Sequence, residues 1–65
     1  MVTIIEHSKE TNNPTGMYYN VSNCAELTDF NRNFEYSKFF AVVNSKKFVN
    51  IEELTSEVKS ILNNE

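Results

Sequence analysis

The chain has one cysteine, one histidine, one glycine, one proline, one arginine and no tryptophan in 65 residues. Each shortage removes a class of function. A lone Cys and a lone His cannot supply the four ligands of a structural zinc site, nor a disulfide within the chain. A single Gly leaves no glycine-rich phosphate loop. No apolar run is long enough to cross a bilayer, so no membrane partner is expected. The length holds one domain, residues 1–65, and falls short of the ~100 or more residues that nucleotide-binding α/β folds and barrel enzymes need.

The opening run Met1-Val2-Thr3-Ile4-Ile5-Glu6-His7 has neither the basic start nor the long apolar stretch of a signal peptide. Together with an unpaired Cys24, this points to a reducing, cytoplasmic location. Asn20-Val21-Ser22 fits a glycosylation sequon, which has no consequence without export. Ten Asn against one Gly and one Arg is the composition of an AT-rich genome, such as that of a low-GC bacterium, its phage or another mobile element.

What is present reads as a folded domain, with 40% hydrophobic and 23% charged residues. Val2 to His7 alternates as a strand, with Val2, Ile4 and Glu6 on one face. Lys9 to Gly16 holds the only Pro and the only Gly and is expected to be an exposed loop. Met17 to Val21 alternates as a second strand and is expected to pair with the first. Asn23 offers an N-cap with Glu26 three residues on, and Cys24, Leu27, Phe30, Asn31 and Phe34 keep helical spacing, predicting a helix over 24–33. Lys38 to Val43 reads as a strand, apolar on both faces for five residues, and predicts a central one. Asn44 to Lys47 lacks the turn glycine of a tight type I′ hairpin, so a longer type I loop with a bulge is expected before Phe48-Val49. Asn50 and Glu53 form a second capping pair, Val49 is placed to staple onto Leu54, and Ile51, Leu54, Val58, Ile61 and Leu62 make the apolar stripe of a helix over 51–63.

The order β-β-α-β-β-α predicts an α+β, two-layer domain with an antiparallel sheet and the C-terminal amphipathic helix packed on one face. So small a core rarely supplies more than ~3–5 kcal/mol. Self-association is one remedy, and the two-sided Phe39–Val43 strand would suit it, but a homodimer is favoured no more than a monomer that covers that strand itself.

Residues 38–62, Lys-Phe-Phe-Ala-Val-Val-Asn-Ser-Lys-Lys-Phe-Val-Asn and then an acidic amphipathic helix, resemble the end of the small flagellar FlbD-type proteins. Those show a strand, an Asn-Gly-Lys-Lys-like turn, a strand and a helix. The resemblance covers under half the chain, Ser45 stands where the turn glycine would be, and the pattern is common to many hairpin–helix units. It implies the same local order of elements and assigns no family.

Four constellations bear on function. Cys24 at a helix start and His7 are the only pair from which a nucleophile could be built. Cys24, however, sits at an apolar-face position where cysteine is usually an inert small hydrophobe, and His7 ends a strand, so no enzyme and no cofactor are expected. Glu52, Glu53 and Glu57 could be read as a metal or acid–base cluster, but the helix dipole and solvation already explain them.

Charge is unevenly spread: residues 1–30 carry −3, residues 31–50 carry +3 and residues 51–65 carry −3. The basic middle holds Arg32, Lys38, Lys46 and Lys47 among Tyr36, Phe39, Phe40 and Phe48, the mixture that single-stranded nucleic-acid binders use. The stronger reading makes the Phe residues core and the Lys residues guards of a sheet edge, since the whole chain is acidic.

The remaining reading is a small regulator or inhibitor that binds a larger protein through acidic surfaces, its carboxylates meeting a basic patch. Glu52, Glu53 and Glu57 are the expected contact residues, with the Lys9–Gly16 loop as the other candidate.

Overall fold

Alternation along the first strand decides which way the sheet faces. The computed structural model describes residues 1–64 and places β1 at Val2–Ser8, β2 at Pro14–Val21, α1 at Cys24–Asn33, β3 at Phe39–Val43, β4 at Lys46–Phe48 and α2 at Ile51–Asn63. Val2, Ile4 and Glu6 are buried beneath the helices, whereas Thr3, Ile5 and His7 turn to the other face. The four strands form one sheet in the order β2-β1-β3-β4, antiparallel throughout, with β3 central as its two-sided apolarity predicts. The α+β, two-layer reading holds.

Both helices lie on one face, α1 against β2 and α2, and α2 against β1 and β4. Each starts at an asparagine cap: Asn23 Oδ1 accepts from the Glu26 N–H at 2.9 Å, and Asn50 Oδ1 from the Glu53 N–H at 3.0 Å. Glu26 also reaches back to accept from the Ser22 N–H at 2.7 Å, one residue before the cap and not at the cap N–H that a capping box uses. Leu54 and Val58 of α2 are wholly buried with Ile4, Ala41 and Val43 of the sheet, each large side chain contributing about 1.5–3 kcal/mol.

One side of the core is aromatic. Phe34, just past α1, stacks on Phe30 at 4.8 Å and meets Tyr36 edge-on at 4.8 Å, while Tyr19 of β2 lies edge-on to Phe30 at 5.0 Å. These rings continue the aliphatic core outward between β2 and α1.

Three local expectations are corrected. The Lys9–Gly16 loop is shorter: Pro14, Thr15 and Gly16 already belong to β2. The Ser8 N–H donates to the Asn13 carbonyl at 3.0 Å, and the Asn12 N–H to the Ser8 carbonyl at 2.8 Å, with Asn12 left-handed at φ 62°. Between Ile5↔Tyr18 and His7↔Pro14, β2 carries two residues more than β1. Gly16 absorbs that bulge at φ 97°, a conformation glycine adopts without steric cost. Proline is tolerated because it begins an edge strand.

The 44–47 loop is a tight two-residue turn, not a longer bulged one. Val43 pairs directly with Lys46, and Asn44 and Ser45 both have positive φ, at 50° and 66°, as a type I′ turn requires. The return strand is therefore Lys46–Phe48, with Val49 outside it. Finally, Ile51 and Val49 are 45% and 48% exposed, so the apolar stripe of α2 begins at Leu54 and Val49 is no buried staple.

Candidate functional site

The N-terminal turn of α2 gathers apolar and acidic groups at the surface. Glu52 and Glu53 are exposed in that turn, where the positive end of the helix dipole favours carboxylates. Val49 and Ile51 stand open beside them. A shallow groove of about 440 Å³ runs between the helices, lined by Asn31, Ile51, Glu52, Thr55, Ser56 and Lys59. Its wall is fixed by a relay: the Tyr36 hydroxyl donates to Asn31 Oδ1 at 2.8 Å, and Asn31 Nδ2 donates to Thr55 Oγ1 at 2.8 Å. The chain of bonds ties the loop after α1 to both helices. Burial pushes the Tyr36 hydroxyl up to about 12.

Glu57 does not stand with Glu52 and Glu53. It is half-buried, and its carboxylate lies 3.8 Å from the Lys46 ammonium. The acidic helix and the basic hairpin, consecutive in the chain, therefore meet across the β4–α2 connection.

The basic hairpin is largely self-partnered. Arg32 lies 3.8 Å from Asp29 and Lys38 lies 3.7 Å from Glu35, both exposed i,i+3 pairs. Lys47 sits over the Phe40 ring at 4.5 Å, a cation–π contact. Phe40 and Phe48 are buried, Phe39 is half-buried, and Tyr36 is half-buried with its hydroxyl engaged. The ring faces that would stack on bases are thus covered, Phe39 and Phe48 by the core and Phe40 by Lys47 and His7. Phe40 belongs to the open sheet face, where His7 packs on it at 5.2 Å. The apolar outer side of β3 is covered within the chain at that point.

Cys24 and His7 are not brought together. Cys24 is exposed at the start of α1, not on its apolar face, and His7 lies on the sheet face away from the helices. Among the described residues no group of three or more His, Cys, Asp or Glu gathers to hold a metal ion, and no helix is long and apolar enough to cross a membrane. The Lys9–Asn13 turn is exposed and braced by side chains of β1 and of the turn, the Glu10 N–H donating to Ser8 Oγ and the Asn13 N–H to Thr11 Oγ1, each at 3.2 Å.

One polar group escaped the sequence reading. Glu6 is 7% exposed on the core face of β1. Thr15 Oγ1 donates to one of its oxygens at 2.6 Å, and the Tyr19 hydroxyl donates to the other at 3.0 Å. Burial raises the Tyr19 pKa, and the hydrogen bond to Glu6 and its negative charge raise it further. The signal was present in the alternation of Val2, Ile4 and Glu6, but the hydroxyls that satisfy the carboxyl come from across the β2 bulge.

No family model, curated protein or solved structure matches the chain.

Proposed function

We propose that this chain is a small, non-enzymatic interaction protein, a cytoplasmic regulator or inhibitor that binds a larger protein partner. The observation that carries the reading is the pairing of open apolar side chains with carboxylates at the start of α2. Val49 and Ile51, about half exposed, offer anchors for a desolvated centre, and Glu52 and Glu53 form a polar rim that favours a basic counter-surface. Glu57, already beside Lys46, contributes to the shape of that face more than to its charge. An AT-rich composition fits a phage or mobile-element source, where short regulators of host machinery are a natural role.

The test is capture from a lysate of a low-GC bacterium at two salt concentrations, with and without nuclease. A stoichiometric protein should remain after nuclease, weaken as salt rises, and be lost from the Ile51→Ala, Glu52→Gln, Glu53→Gln variant while circular dichroism is unchanged. Capture that vanishes with nuclease would overturn the reading in favour of nucleic acid held by Arg32, Tyr36, Lys38, Lys46 and Lys47.

A further inference from the structure

The two edges of the sheet are chemically unlike. β4 spans three residues and carries Lys46 and Lys47, a short charged edge of the kind that resists pairing with another strand. β2 closes the other side, eight residues long, with no charged residue from Pro14 to Val21. It is paired with β1 on one side only. The bulge at Gly16 blunts its first half, but Tyr18 to Val21 keep an unbroken register with Ile5 to Val2. Along this stretch alternate residues direct their N–H and C=O groups outward, unpaired by the sheet. Met17 and Tyr18 are 52% and 64% exposed there.

Alongside this edge runs a groove of about 420 Å³ between β2 and α1. Its floor is aromatic, from Tyr19, Phe30 and Phe34, and its α1 wall carries Glu26, Asp29 and Asn33. Among the described residues Asp29 pairs with Arg32, in a pair whose side chains are about 70% exposed and hence weak. The backbone of β2 thus offers hydrogen bonds, and the helix above it offers negative charge.

We propose that the outer edge of β2 accepts an extended, basic segment of a protein partner as a fifth strand, with its cationic side chains toward Glu26 and Asp29. Main-chain pairing supplies the attachment, and alternate side chains read the groove. The stretch 17–21 accommodates about 17 Å of partner strand. A second copy of this chain fits the edge less well, because a two-fold at β2 would bring the Glu26 and Asp29 walls of both copies together. The inference rests on the protein-binding reading but uses a surface separate from the start of α2.

The probe is a short acetylated and amidated peptide of alternating lysine and valine, titrated into isotopically labelled protein. Binding should slow hydrogen exchange at alternate amides along 17–21 and shift the resonances of Asp29 and Asn33. Asp29→Lys should weaken it about threefold to tenfold, with the urea midpoint unchanged because Asp29 is exposed. The same peptide N-methylated at every residue keeps its charge and has no N–H left to pair with a strand, so it should not bind. The Ile51→Ala, Glu52→Gln, Glu53→Gln variant should leave peptide binding intact, so its loss of lysate capture is read separately from this site. Equal binding of the N-methylated peptide, or shifts confined to the start of α2, would overturn the proposal. So would a dimer by light scattering that protects the 17–21 amides without peptide, since a second copy would then hold the edge.

Discussion

The Tyr19 hydroxyl donates to the Glu6 carboxylate at 3.0 Å in the layer between sheet and helices. A carboxyl there is costly unless its oxygens are satisfied. Thr15, exposed on β2 beside the bulge, reaches in with its hydroxyl and donates to the other oxygen at 2.6 Å. A polar group in the core and an irregularity in an edge strand are therefore one feature: the bulge places the second donor.

Tyr19→Phe keeps the ring against Phe30 and removes one donor from Glu6. It should cost about 1–3 kcal/mol in urea denaturation, the range for leaving a buried polar group short of a partner. Adding Glu6→Leu should recover part of that loss, because an apolar pair no longer needs the bonds. A Tyr19→Phe midpoint equal to wild type would show the contact to be without weight.

Alkaline pH should unfold the protein through its tyrosines. The Tyr36 hydroxyl is held up to about 12 by burial and Tyr19 is also raised. A raised folded pKa means the unfolded chain ionises first, so this contribution to stability is complete below pH ~10 and is lost as pH climbs towards 12. Ionisation also removes the proton that Tyr36 donates to Asn31. Ultraviolet titration of tyrosinate should show late phases coincident with loss of near-ultraviolet dichroism, and Tyr36→Phe should make stability less steep between pH 10 and 12.

Ser45→Gly should stabilise. Ser45 is left-handed at φ 66°, which costs a non-glycine residue about 1–2 kcal/mol. The added flexibility of glycine in the unfolded chain returns about 0.4–1 kcal/mol of that. A net gain of about 0.5–1 kcal/mol is expected, a rise of several degrees in Tm for a domain of this size. A lowered Tm would mean that Ser45 is not strained in this turn.

The helices and their caps were legible because they are local. Asn23 with Glu26 and Asn50 with Glu53 satisfy helix-end groups within four residues, and the stripe through Leu54 and Val58 is set by helical period alone. The central place of β3 was legible for a related reason, since a strand apolar on both faces needs cover on both. The 44–47 turn was misread by propensity. Asn and Ser are poorer than Gly at positive φ, but the register of Ala41↔Phe48, with both side chains buried on one face, fixes a two-residue connection.

The candidate surfaces were legible only in part. Glu52 and Glu53 stand where the helix dipole and solvent would put them, but Ile51 looked like core, and only the packing of α2 leaves it open. Lys46 and Glu57 belong to stretches of opposite charge, and no spacing rule brings them within 3.8 Å.

Composition excluded the chemistries that need clustered Cys, His or Gly, and periodicity determined the order and nature of six elements. Both are properties of residues near one another in the chain, so the sequence by itself contains them. The tertiary structure decided which strand stands at the open edge, how Glu6 is satisfied, and which aromatic rings and charges remain available. Those depend on contacts across long sequence separations, whose free energies are set by burial and geometry after the chain has closed on itself.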